Sequence, residues 1–142
     1  MTAVNKRLRD GSRPGQSLVE MALVLPLLMI LLVGVVDVGR AMFAKIAITN
    51  ASREGARYAS RYPTYSTKIR EAVELELEAN GLEPTDVDLQ VSFEPENSPP
   101  RLGDEVTVAL AYPYDMILGG ILGMGPIDIG AATRMIVVNI VE

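Results

Sequence analysis

At 142 residues and a formal net charge of −5, the chain has room for one modest domain besides any segment that crosses a membrane. It contains no histidine and no cysteine, which removes the commonest general base, the commonest zinc ligands, the thiol nucleophile, disulfide staples and lipoprotein processing. Hydrophobic residues make up 49% of the chain, and they are concentrated near the N-terminus instead of being spread evenly.

The first fifteen residues are basic. Lys6, Arg7, Arg9 and Arg13 stand against Asp10 alone, a net of +3 before the apolar run, and residues 37–142 carry −7. Residues 21–36 then pass without a charge, and Leu18 and Val19 extend the run backwards past Glu20. As a helix, residues 18–36 rise roughly 28 Å, close to the ~30 Å of a bilayer's hydrocarbon. A helix in a soluble core keeps a polar face, and this one shows none beyond Glu20, so lipid is the expected surrounding. The positive-inside rule then predicts a single-pass protein of the cytoplasmic membrane, with Met1 inside and the acidic remainder outside. A secretory signal peptide is a poor fit. Its apolar region would be shorter and would end at a small-x-small cleavage site, whereas this one ends Val-Val-Asp-Val-Gly-Arg.

Glu20 is the anomaly in this stretch. It lies about one helical turn into the apolar segment, where an ionised carboxylate facing lipid costs up to roughly 3 kcal/mol, less near the interface. A cut after Gly15 would place a new amine on Gln16, four residues before Glu20, and supply the missing cation from the same or a neighbouring subunit. An uncut anchor whose Glu20 snorkels to the headgroups accounts for the same residues. Pro26 removes one backbone hydrogen bond inside the span and predicts a bend that a transmembrane helix absorbs.

The order of these features, a basic leader, Gly15, Gln16, a glutamate five residues into the would-be mature chain and an apolar helix, resembles the processing signal of type IV pilin-like proteins. Downstream, the run Gln16-Ser17-Leu18-Val19-Glu20-Met21-Ala22-Leu23-Val24-Leu25-Pro26, then Gly34, Asp37, Gly39 and Arg40, and the block from Asn50 to Ala59, is similar to the TadE-like family of the tight-adherence (Flp-type IV) pilus system. The resemblance covers roughly residues 14–60. It implies a minor pilin or pseudopilin, cut between Gly15 and Gln16 by a prepilin peptidase, with Glu20 as the assembly charge. Met21 stands where many members have an aromatic. The partners implied are membrane lipid, the peptidase, and other pilin-like subunits or pilus assembly proteins.

No proline interrupts residues 40–59, and small residues recur four apart at Ala47, Ala51, Gly55 and Ala59. That spacing draws one slowly drifting stripe along a helix and predicts a close packing face, against the domain itself or against another subunit's helix. Counted from Ser17 to about Arg61, the helix would reach ~65 to 70 Å. Tyr62-Pro63 ends it. A second helix follows, capped by Ser66 or Thr67, with Ile69, Ala72, Val73 and Leu77 on its apolar face, glutamates elsewhere and Asn80-Gly81 at its close.

The period then changes to two. Val87, Leu89, Val91 and Phe93 alternate with polar residues, as do Val106, Val108, Leu110 and Tyr112 with smaller ones, which predicts an antiparallel pair joined by the proline-rich loop 95–104. A last strand over residues 131–141, apolar on both faces, is expected in a central or doubly covered position beside residues 105–112. The glycine-rich, almost uncharged residues 116–126 suit either a short buried helix or an exposed apolar loop that meets a partner or the membrane surface.

The fold class expected is therefore α+β: a long N-terminal helix, a second amphipathic helix and a small antiparallel sheet of about three strands. The divisions are a basic leader at 1–15 that cleavage would remove, a transmembrane helix at 16–39 and an extracytoplasmic αβ domain at 40–142. No enzyme, cofactor or metal site is expected. An acidic exterior with few aromatics also argues against nucleic acid as a partner. Three functions fit: a filament-assembly subunit, an uncleaved single-pass anchor or accessory protein holding a partner at the membrane surface, and a small-ligand sensor.

Overall fold

The computed structural model describes residues 14–96 and 99–140. Residues 1–13 of the basic leader, two residues of the 95–104 loop and residue 141 of the expected last strand lie outside the described residues. Helix α1 spans Pro14–Ala59, 46 residues with Pro26 inside it, or about 69 Å at 1.5 Å per residue. Its two halves live in different surroundings. From residue 15 to 32 every residue is exposed, whereas Ala44, Ile48, Ala51, Ala56 and Ala59 are buried in the core of the domain.

The helix stops where expected. Ser60 bonds back to Ala56 and Tyr62 to Tyr58, both at 2.9 Å, and the Tyr58, Tyr62 and Tyr65 rings meet in sequence, tilted at 5.1 Å and then edge-on at 6.1 Å. Helix α2 spans Ser66–Ala79. The expected Ser66 or Thr67 cap is not used: Tyr65 occupies the cap position without a side-chain bond. At the other end Gly81 takes φ +72°, with Gly81 N–H donating to Glu78 O at 2.9 Å and Leu82 N–H to Leu77 O at 3.0 Å. This double bond pattern satisfies the last carbonyls and favours a residue without Cβ. Gly81→Ala is accordingly expected to cost about 1 to 2 kcal/mol, read as a lower domain melting temperature in detergent. The surface of α2 carries Lys68–Glu71 and Arg70–Glu74 pairs at 2.6 and 3.6 Å, and Glu54 pairs with Arg57 on α1. The Arg57 guanidinium, through its hydrogen bonds, holds the Glu54 carboxyl below the usual range.

After a 3-10 turn at Pro84–Asp86, strands β1 (Asp88–Glu94), β2 (Glu105–Tyr114) and β3 (Ile127–Ile136) form an antiparallel sheet in the order β1-β2-β3. Val91 faces Val108 and Phe93 faces Val106 across the first pair. Residues 106, 108 and 110 of β2 point inward and are buried. Against that face lies the C-terminal half of α1, and α2 packs on α1, with Ile69, Val73 and Leu77 joining the same core. Ser52 of α1 is fully buried against the sheet. Its hydroxyl is 2.8 Å from the Val108 carbonyl oxygen, to which it donates, and 2.9 Å from the Thr133 hydroxyl. Ser52→Ala is expected to lose about 1 kcal/mol, whereas Ser52→Val, which adds bulk at the same place, costs more; chemical denaturation separates the two.

The last strand lies beside residues 105–112 as expected, but its bounds differ and it is not central. It begins at Ile127, because Ile127 to Gly130 pair with Tyr114 to Ala111, and it ends at Ile136. Beyond it the chain changes partners: Val137 exchanges bonds with the loop before β2, N–H to Asp104 O at 2.8 Å and O from Gly103 N–H at 3.0 Å. Val138 N–H then donates to Ser60 O at the end of α1, at 2.8 Å, which satisfies a carbonyl that the helix leaves open. β3 is an edge strand and β2 the central one. The outward apolar side at the end of β3 and just beyond it is not covered by the described residues, since Ile136 and Val138 are 59% and 64% exposed.

Candidate functional site: the bare helix and its junction with the domain

Residues 15–36 of α1 form a rod of exposed leucine, valine, methionine and isoleucine, long and apolar enough to cross a membrane. Gly15 and Gln16 occupy its first turns, both exposed, and Glu20 lies one turn further on and is also exposed. Four residues separate Gln16 from Glu20, so the two share one face of the helix about 6 Å apart along the axis. A Cβ on Gly15 would meet nothing within 4 Å. A new amine on Gln16 would lie about one helical turn from the Glu20 carboxylate on that face.

The small-residue stripe points elsewhere. Ala47, Ala51, Gly55 and Ala59 are buried within this one chain, beneath its own α2 and sheet. A Cβ built on Gly55 would lie 2.6 Å from Val73 Cγ2 and 3.2 Å from Val108 Cγ1. Hydrogen alone fits there, because both neighbours are β-branched and cannot swing aside.

Between rod and domain lies a junction whose working parts are not assigned by sequence pattern. The residues between β2 and β3 fold into a short helix, α3 (Ile117–Leu122), of which Gly119 alone is buried. The segment thus combines the two expected forms: it is helical, yet its apolar side chains are exposed. Its cap residue, Met116, makes no side-chain capping bond. The cap comes from eighty residues away. Asp37 of α1, 4% exposed, accepts hydrogen bonds from Ile117 N–H at 3.0 Å and Leu118 N–H at 2.7 Å. Arg40 lies 3.5 Å from the same carboxylate and places its guanidinium 5.6 Å from the centre of the Tyr114 ring, within cation–π range. One turn beyond, Lys45 donates to the Gly130 carbonyl on β3. The signal for this junction was a lone aspartate in an apolar run. Its partner is a pair of backbone N–H groups, which leave no mark in side-chain chemistry. Asp37→Ala is expected to weaken α3 by roughly 1 to 3 kcal/mol through the orphaned N–H groups, and to raise hydrogen exchange at residues 117–122 while β2 stays protected.

Above the junction, α1, α3 and the start of β3 border an open apolar groove of about 620 Å³, lined among others by Val38, Met42, Ile46, Met124 and Ile127.

No curated protein and no solved structure matches this chain. One family does, over the rod, the α1 residues of the junction and most of the packing stripe. Together with the apolar helix, that match fits a membrane protein related to the tight-adherence pilus. Residues 15–57, from the glycine at the candidate cleavage point through Asp37, Arg40 and Gly55, match the family described as TadE-like protein.

Proposed function

We propose that this chain is a pilin-like membrane subunit that takes part in assembly of a tight-adherence, type IV pilus. The observation that carries the reading is the division of α1. One unbroken helix presents a bare apolar half, while its other half is the core of the folded domain. Such a helix links the rod to the domain with no loop between them. In this reading the leader is cytoplasmic and the domain outside. A prepilin peptidase cuts between Gly15 and Gln16, and the new amine pairs with Glu20 of the same or a neighbouring subunit. Pairing lowers the cost of carrying the carboxylate in an apolar surrounding and lets the rod pass from bilayer to filament or assembly platform. The chain performs no catalysis itself; lipid, the peptidase and other pilin-like or assembly subunits are its partners.

The test is genetic. Deleting the gene is expected to abolish pilus-dependent surface attachment, and the intact chain supplied in trans restores it. Attachment and filaments unchanged by the deletion would contradict the assembly role.

A further inference from the structure

We infer that α3 and the residues that follow it, 117–127, form a second membrane contact, lying in the leaflet nearest the folded domain and seating that domain on the bilayer. This rests on the reading of α1 as a membrane span.

The depth of α3 follows from α1. Glu20 and Arg40 are twenty residues apart, about 30 Å along a helix, and apart from Asp37 no charge lies between them. The distance equals the hydrocarbon thickness of a bilayer, ~30 Å, so the two charges fit its two borders. Asp37 then sits about 4.5 Å inside the second border and Gly34 about 9 Å inside it. α3 is fastened at both depths. Asp37 caps its first two N–H groups, and a Cβ on Gly34 would stand 3.9 Å from Leu118 Cδ2. If α1 spans, α3 is carried into the same leaflet.

Its surface suits that place. Ile117, Ile121, Leu122, Met124 and Ile127 are 43 to 68% exposed, and no charged residue occurs between Asp115 and Asp128. These side chains continue the bare surface of the rod without a polar break, and water is the wrong solvent for such a patch. Part of the backbone is also provided for. In lipid every N–H and C=O must find a partner within the protein. Here Asp37 takes the N–H groups of residues 117 and 118, Gly120 N–H bonds to Met116 O at 3.0 Å, and Met124 N–H closes the helix on Gly119 O at 2.8 Å, with Gly123 at φ +70°. Asp37, an acid in an otherwise apolar run, thereby gains a reason: at that depth a carboxylate needs donors, and two N–H groups and Arg40 supply them.

The chain has no cysteine, so single labels need no background removal. Full-length protein carrying Ile121→Cys, Val35→Cys or Ser92→Cys is labelled with an environment-sensitive fluorophore and reconstituted in phosphatidylcholine vesicles. Doxyl-labelled lipid is the quencher from the bilayer and iodide the quencher from water. Labels at 35 and 121 are expected to be quenched by doxyl lipid and to lose iodide quenching, with blue-shifted emission; the label at 92, on the exposed face of β1, behaves oppositely. If 35 is in lipid but 121 is quenched by iodide as 92 is, the segment lies in water and the inference fails. If 121 is shielded from both quenchers, a second copy covers it and lipid is the wrong occupant. If 35 itself is open to iodide, the span is wrong, and the inference falls with it for that separate reason.

Discussion

Gly55→Leu is expected to unfold the αβ domain while the apolar half of α1 still inserts into membranes. The first added atom alone would stand 2.6 Å from Val73 Cγ2 and 3.2 Å from Val108 Cγ1. Both valines are fully buried and held by α2 and β2, so neither side chain has space to retreat. Overpacking a tight core costs typically 1 to 3 kcal/mol and sometimes more. Leucine adds three further carbons at the point where α1, α2 and the sheet meet, so about 3 kcal/mol or more is expected, a large fraction of the ~5 to 15 kcal/mol that holds a small domain together. Limited proteolysis and thermal melting in detergent read the effect. Gly55→Ala should fall between wild type and leucine, and Val73→Ala combined with it should recover part of the loss, because it removes the nearer clash. A leucine variant that melts like the wild type would show that α1 does not pack on the domain as described.

Glu20→Leu is expected to do the reverse: the protein inserts and folds, and filament-linked function disappears. Glu20 is exposed, on a part of α1 that no other described residue covers, so its removal costs the described fold nothing and makes the rod more apolar. A passive anchor would tolerate the change. A subunit that uses the carboxylate to meet the amine of Gln16 would not, because leucine keeps the shape and removes the pairing. Membrane fractionation, the melting temperature of the domain and surface attachment separate these outcomes. Full attachment by the leucine variant would count against charge pairing at Glu20.

The elements of the fold were legible because each kept its own period. The uncharged run, the second helix with Ile69, Val73 and Leu77 on one face, and the alternation of Val106, Val108 and Leu110 led to an α+β chain with a long first helix and a three-stranded antiparallel sheet, as observed. What failed were features decided by partners distant in sequence. Ile136 and Val138 looked like the second face of a central strand, yet β3 lies at the edge, and after Ile136 the backbone leaves the ladder for Asp104 and Ser60. An apolar residue on the outside of an edge strand looks the same in sequence as one covered on both faces. The start of β3 was hidden for a related reason: Gly130 and the nearby Pro126 resemble loop residues, and the pairing with residues 111–114 overrides them. At the candidate site, Glu20 stood out as a charge with no local partner. Asp37 is read only as part of the family pattern, because its partners are the backbone of α3, and no pattern of side chains points to them.

The central claim is that this chain is processed and assembled as a pilin-like subunit, and the mass of its N-terminal peptide tests that most directly. The protein is purified from membranes of cells with and without the prepilin peptidase. A peptide beginning at Gln16 only where the peptidase is present is the predicted result. Retention of the leader in both strains would contradict it and leave a single-pass anchor whose Glu20 sits unpaired at the headgroups.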